Sequence, residues 1–134
     1  MKRILIVLAV VALNGCALYD AYMLTGYDPN EYRIITEIRT DAYNYKKQCS
    51  NKVMSETNAM LISDKTQLFE FYSEQIPGNN NGGRSSKNLN EIAQGLKTQY
   101  QNSIAVSPLF CKLKFTSIEN SAAVLQHVIA GRPR

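Results

Sequence analysis

Residues 35–49 read ITEIRTDAYNYKKQC, and residues 111–129 read CKLKFTSIENSAAVLQHVI. In each stretch the apolar residues are spaced alternately by three and four positions, which is typical of helices that pack along one apolar seam. Each seam also contains a cysteine in register. The first seam consists of Ile35, Ile38, Ala42, Tyr45 and Cys49, and the second of Cys111, Phe115, Ile118, Ala122, Leu125 and Ile129.

The numbering of the two seams predicts how they face each other. In an antiparallel helix pair the numbers of facing residues add to a constant, and pairing Cys49 with Cys111 sets that constant at 160. The same constant pairs the remaining seam residues: Tyr45 with Phe115, Ala42 with Ile118, Ile38 with Ala122 and Ile35 with Leu125. Its midpoint, position 80, lies in the turn-rich stretch PGNNNGGRSSK (77–87). We therefore predict an all-α fold, an antiparallel helical hairpin stapled by a Cys49–Cys111 disulfide.

Local signals set the limits of the two helical arms. Asp28-Pro29 and Ser107-Pro108 are helix-start signals, with Glu31 completing a capping-box pattern after Asp28. Gly131 followed by Pro133 is a stop signal. These signals predict a helical domain over 28–131, with arms 28–76 and 88–131, a turn at 77–87, a break near Ser107 and a tail at 132–134.

Beyond the disulfide the same constant gives a weaker seam, with Met60 facing Tyr100, Leu68 facing Ile92 and Phe71 facing Leu89. Two architectures are open: a straight hairpin, or arms that bend near residues 57 and 105 into a small four-helix bundle. Straight arms would place Pro77 roughly 60 Å from Ile35, with the turn as the distal end, and bending would halve that reach.

The first residues carry a targeting signal. Lys2 and Arg3 precede an unbroken apolar run, ILIVLAVVAL (4–13), which is the layout of a secretory signal peptide. Ten helical residues span only about 15 Å, roughly half the hydrocarbon core of a bilayer. We therefore predict a signal peptide at 1–15 that is removed.

Leu13-Asn14-Gly15-Cys16 resembles the lipobox of bacterial lipoproteins, with Asn14 larger and more polar than the residue usual at its position. The resemblance implies lipid on Cys16, a lipidated tether at 16–27, and anchoring to a membrane of the cell envelope. Ala17 resembles the residue that directs such proteins to the outer membrane, on its periplasmic face. With Cys16 acylated, the other two cysteines form an even pair in an oxidising compartment, which favours a Cys49–Cys111 disulfide.

Composition and motifs argue against several functions. One histidine, His127, no tryptophan and no nucleotide-binding or hydrolase motif are present. We predict no catalysis, cofactor or metal site, and interpret His127 as a helix-end residue. Removing Lys2 and Arg3 leaves 13 basic and 11 acidic side chains. This balance is too small to predict nucleic-acid binding.

The remaining hypotheses concern binding. We expect a non-enzymatic envelope lipoprotein that binds another envelope protein as an adaptor. The chain resembles pilotins in size and class but not in residue motif. Lipoproteins of phages and plasmids that act in exclusion or lysis are an alternative of equal weight. The alternative is a bundle that binds a small molecule or cell-wall ligand. Residues 79–83 are a candidate binding tip. Tyr19, Tyr22, Tyr27 and Tyr32 fit either a membrane interface or a short segment packed on the hairpin base.

Overall fold

The structure, a computed structural model, describes residues 25–102 and 105–134. These residues form four α-helices and no strand: α1 Pro29–Tyr45, α2 Lys52–Gln75, α3 Asn80–Gln101 and α4 Pro108–Ala130, with a 3₁₀ turn, Lys46–Gln48, after α1. The predicted all-α class is confirmed. The predicted signal peptide, the lipidation site Cys16, Tyr19 and Tyr22 lie outside the described residues.

The four helices form an up-down-up-down bundle. Helix α1 packs along α4, and α2 packs along α3, while the α1–α2 and α3–α4 contacts close the ring. The hairpin of the sequence prediction is thus folded over at its middle, which decides between the two predicted architectures. One apolar core runs through the bundle, and Ile35, Phe69, Leu96 and Ile118 are fully buried in it.

Helix starts follow the capping residues of the sequence. The Asp28 carboxylate accepts hydrogen bonds from the backbone N–H groups of Asn30 and Glu31, each at 2.8 Å. The Ser107 hydroxyl accepts from the Phe110 N–H at 3.1 Å, as that sequence signal predicts. A third cap was missed: the Asn51 side chain accepts from the Met54 N–H at 3.1 Å and starts α2. The first arm therefore breaks at residues 46–51, earlier than the predicted position 57.

The predicted seam between α1 and α4 is confirmed. Cys49 and Cys111 form a disulfide with their Cα atoms 5.8 Å apart. The rings of Tyr45 and Phe115 lie edge to face with centroids 5.8 Å apart. The remaining seam residues are all buried: Ile35, Ile38, Ala42, Ile118, Ala122, Leu125 and Ile129.

The predicted seam between α2 and α3 is wrong for α2. Met60, Leu68 and Phe71 are exposed, whereas Ile62 and Phe69 are buried. The prediction assumed that the heptad spacing of α1 continues unchanged through residues 46–51 into α2. Because the chain leaves the α-helix there and Asn51 starts a new one, the phase is reset and a different face of α2 turns inward.

The turn between the arms is shorter than predicted. Helix α3 begins at Asn80, so only residues 76–79 connect it to α2, with Gly78 at a φ of 76°. Gly82 and Gly83 lie inside α3, where they permit close approach. A Cβ at Gly83 would lie 3.3 Å from Glu74 Cγ, and one at Gly82 would collide with the Asn79 side chain. Glycines interpreted as helix breakers are packing residues here.

Folding the arms also reverses the predicted polarity of the molecule. The Thr25 hydroxyl donates to the Gly78 carbonyl at 2.9 Å, so the α2–α3 turn lies beside the start of the described chain. We name this the basal end (residues 25–28, 76–79 and 131–134). The disulfide lies at the opposite, distal end (residues 46–51 and 105–112). The prediction of a distal turn is wrong, because a folded arm returns to its origin.

Candidate functional site

A buried polar cluster joins three segments at the basal end. Glu31 of α1 forms an ion pair with Arg132 of the tail, and the exposed fractions of these two side chains are 1% and 4%. The second Glu31 oxygen accepts from Asn79 Nδ2 at 2.9 Å and from the Ser73 hydroxyl at 3.0 Å. Arg132 also donates to Asn79 Oδ1 at 2.9 Å. Both charges are therefore paired and hydrogen-bonded, which burial requires.

This cluster changes the interpretation of the turn as a binding tip. Asn79 is only 4% exposed, and both its amide nitrogen and its carbonyl oxygen are hydrogen-bonded within the cluster. Asn79 therefore fixes the turn to α1 and to the tail. Asn80 and Asn81 are exposed on the first turn of α3.

Sequence reasoning missed the cluster, although a signal for it existed. Glu31 stands four residues before Ile35, which is the next step of the first seam, and Arg132 stands three residues after Ile129, which is the next step of the second. Glu31 and Arg132 thus continue the spacing of two seams that face each other, and they carry opposite charges. This arrangement predicts a buried ion pair. Glu31 was instead assigned to the helix cap, where its side chain makes no contact with the Asp28 backbone N–H among the described hydrogen bonds.

Helix α2 exposes an unusual amount of apolar surface. Its exposed large apolar side chains range from 36% for Met60 to 74% for Val53. At 100° per residue they fall within an arc of about 120°, opposite the buried positions Ile62 and Phe69. We name this set the α2 outer face: Val53, Met54, Met60, Leu61, Leu68 and Phe71. Large apolar side chains that share one exposed side of a helix are typical of a surface that contacts another molecule.

The buried face of the same helix is largely polar. Ser55, Asn58, Ser63, Thr66 and Ser73 are all less than 9% exposed. A core requires the reverse arrangement, with apolar side chains inside and polar ones outside. Since α2 keeps large apolar side chains on its solvent side, that side fits a binding surface better than a solvated one.

A single carboxylate interrupts the α2 outer face. Asp64 lies near the middle of the arc, and its side chain is 69% exposed. Lys97 of α3 approaches it with a nitrogen-to-oxygen distance of 3.3 Å. The face is therefore apolar along its length with one acidic group near its centre.

A second candidate site is a groove between α3 and α4 with a volume of about 490 Å³. Leu89 and Leu125 form its floor, and the exposed Val124 and Val128 form one wall. Its basal end is polar and includes Arg132 of the buried cluster. An apolar groove with a polar end is suited to an amphipathic ligand.

The other predicted residues occupy separate places. Cys49 and Cys111 are at the distal end, and His127 is exposed on the last turns of α4. Within residues 25–102 and 105–134, no three histidine, cysteine or acidic residues are grouped to hold a metal ion. In the same residues, no helix has both the length and the hydropathy needed to cross a bilayer.

Comparison with protein-family models, with curated proteins and with solved structures finds no match for the chain.

Proposed function

We propose that the chain is a non-enzymatic envelope lipoprotein, anchored through Cys16, whose bundle binds another envelope protein as an adaptor. The α2 outer face carries this proposal. Its apolar side chains recur at helical spacing along one exposed side, which is how an amphipathic helix fills an apolar groove of a partner. Pilotins and phage or plasmid lipoproteins that act in exclusion or lysis are settings in which such an adaptor would work.

The partner is a different protein and not a second copy of this chain. The midpoint of α2, Lys52–Gln75, lies between Ser63 and Asp64. A twofold antiparallel pairing of α2 with itself would bring two Asp64 carboxylates together at the symmetry axis. Juxtaposed carboxylates oppose association. An Arg or Lys in the partner groove would instead pair with the Asp64 carboxylate, which is 69% exposed beside Lys97.

Site-specific photocrosslinking in intact envelopes tests the adaptor proposal. Benzoylphenylalanine at position 61 or 68 is expected to give one adduct of defined mass with a second protein. The same probe at position 84, which is exposed on α3, is the matched control and should give none. The adduct should disappear in a Phe71→Glu background that keeps the wild-type melting temperature.

Two results would contradict the proposal. Adducts of equal yield from positions 68 and 84 would mean that α2 has no special role. An adduct of twice the mass of the chain would mean that the face binds a second copy.

The anchor is tested separately, by metabolic labelling with radioactive palmitate. Wild-type chain should carry the label, and Cys16→Ser should not. Ser50→Ala, at an exposed position with no predicted lipid, is the control and should keep the label. Label on the Cys16→Ser chain would contradict the anchor proposal without affecting the crosslinking result.

The groove between α3 and α4 supports a second candidate, in which the bundle binds an amphipathic small molecule. Ser121 lines this groove, so Ser121→Trp should fill it. Titration with the apolar fluorophore N-phenyl-1-naphthylamine should give saturable fluorescence with wild-type chain and little with the variant. Equal titrations of the two chains would reject the groove as a ligand site.

A further inference from the structure

The distal end carries a second depression, of about 380 Å³, beside the disulfide. Its lining includes Lys46 and Lys47 after α1, and Leu109 and Lys112 at the start of α4. No acidic residue lines it. The amino terminus of α4, which carries partial positive charge, lies at the same place.

Two of these three lysines are available to a ligand. Lys46 is neutralised by Glu119, at 2.5 Å. Lys47 is exposed, with its ammonium 3.7 Å from the centroid of the Tyr43 ring, and Lys112 is exposed on the first turn of α4.

The net charge of the bundle is concentrated here. The described residues contain 13 basic and 10 acidic side chains, an excess of three. The distal end and the first two turns of α2 and of α4 contain five lysines. With Glu56 and with Glu119, the partner of Lys46, the excess there is also three. The rest of the bundle is balanced. The five are Lys46, Lys47, Lys52, Lys112 and Lys114.

Exposed apolar side chains accompany these lysines. Leu109 in the depression is 68% exposed, and Leu113 one turn further along α4 is 57% exposed. A soluble anion or an acidic polymer could bind the lysines alone, but it would leave the exposed leucines in water. Lysines mixed with exposed leucines match the interface of an anionic bilayer, where headgroups pair with the ammonium groups and leucines enter the acyl boundary.

We propose that the distal end docks on an anionic phospholipid surface. The site lies at the opposite end of the bundle from Thr25, about 36 Å away along the 24 residues of α2. It is therefore separate from the proposed anchor and from the α2 outer face, and it does not depend on either.

The test uses the chain from Cys16 to Arg134 without lipid, immobilised by a biotin at its amino terminus, so that the distal end is free and the apolar run 4–13 is not present to bind vesicles. Vesicles of 30% phosphatidylglycerol in phosphatidylcholine are passed over it, and pure phosphatidylcholine vesicles serve as the neutral reference. Capture of the anionic vesicles is expected, with loss at high salt. Lys47→Gln with Lys112→Gln should weaken capture about 25-fold, at about fivefold for each lysine.

Arg84→Gln with Lys87→Gln is the matched control, because it removes two exposed charges near the basal end and leaves the same net charge. It should retain wild-type capture within about twofold. Leu109→Ser with Leu113→Ser should also weaken capture. Equal capture of both vesicle types, no capture of anionic vesicles, or equal loss in the two charge variants would overturn the proposal. Loss in the lysine variant with wild-type capture by the leucine variant would overturn it in favour of a soluble anion.

Discussion

The α1–α4 pair and the α2–α3 pair fill their interfaces with different side chains. Between α1 and α4 lie Ile38, Phe115 and Ile118, all fully buried, together with the disulfide. Between α2 and α3 the buried face also contains hydrogen-bonded polar groups. Thr66 Oγ1 lies 3.0 Å from Asn90 Oδ1, and the Asn90 amide donates to Glu70 at 2.5 Å.

The two pairs therefore contribute differently to the stability of the fold. Apolar burial scales with area, so the α1–α4 pair supplies much of the driving force for folding. Helix α2 holds Leu61, Leu68 and Phe71 outside and buries Ser63 and Thr66, so part of its apolar surface contributes nothing to the core.

The largest effect should come from breaking the α1–α4 half at its covalent link. Cys49→Ser with Cys111→Ser removes a disulfide that spans 62 positions. The chain-entropy model predicts a loss of about 4 kcal/mol in the free energy of unfolding. Urea denaturation under oxidising conditions measures it, and wild-type chain in reductant should match the variant. Equal unfolding free energies for oxidised wild type and variant would show that the link is without energetic effect.

The next effect should come from the basal cluster, which joins both halves. Arg132→Met leaves Glu31 buried without its cation, so the free energy of unfolding should fall by about 3 kcal/mol. Glu31→Gln with Arg132→Met removes both charges and keeps an acceptor for Asn79. This double variant should recover more than half of the loss in the same denaturation experiment. A double variant as unstable as Arg132→Met would mean that charge pairing is not the cause.

The two halves also differ in how far the sequence predicts them. The α1–α4 seam follows from periodicity because its apolar residues are the buried ones, and the cysteines fix its register. The α2 face does not follow, because periodicity assigns apolar residues to the core, and α2 places Leu68 and Phe71 outside. Nothing local announces the phase reset at Asn51 as strongly as a proline would.

The candidate sites were predicted less well than the fold. The distal depression combines Lys46 and Lys47 with Leu109 and Lys112, which are about 60 positions apart in the chain and are brought together by the pairing of α1 with α4 and by the disulfide. The basal cluster likewise joins Glu31, Asn79 and Arg132 from three segments. The contacts of Asn79 also depend on the bending of the arms, which the sequence left open.

A smaller effect should appear inside the α2–α3 half, where polar burial can be corrected. Ser63 Oγ is buried and has no hydrogen-bond partner among the described residues. Ser63→Ala should therefore raise the free energy of unfolding by about 1 kcal/mol. Thr66→Val on the same face is the control and should lower the free energy of unfolding. The Thr66 hydroxyl has partners to lose, since it lies 2.9 Å from the Ser63 carbonyl oxygen and 3.0 Å from Asn90 Oδ1. Destabilisation by both variants would mean that the Ser63 hydroxyl is paired.

The smallest effect on the free energy of unfolding should come from an ion pair between the two halves. Lys65 of α2 lies 2.6 Å from a carboxylate oxygen of Asp41 of α1. Burial lowers the pKa of Lys65, but the hydrogen bond and charge of Asp41, with the charge of Glu37, outweigh it and leave that pKa raised above 10.5. Burial, with the charge of Asp41, also raises the pKa of Tyr45 above 10.0. Both groups hold their protons more tightly in the folded chain.

The stability that these two groups add is therefore complete below their unfolded pKa values and is lost as the pH rises through the folded ones. The free energy of unfolding should be level up to about pH 9.5 and then fall. The free energy of unfolding of Lys65→Met should fall less steeply above that pH. The Lys65 contribution is absent from this variant, and the Tyr45 contribution remains. Lys87→Met, which removes an exposed lysine of α3, should keep the wild-type slope in the same series of urea denaturation curves. Identical slopes for all three chains would mean that the two halves are held together without the Lys65 ion pair, by the basal cluster and the shared core.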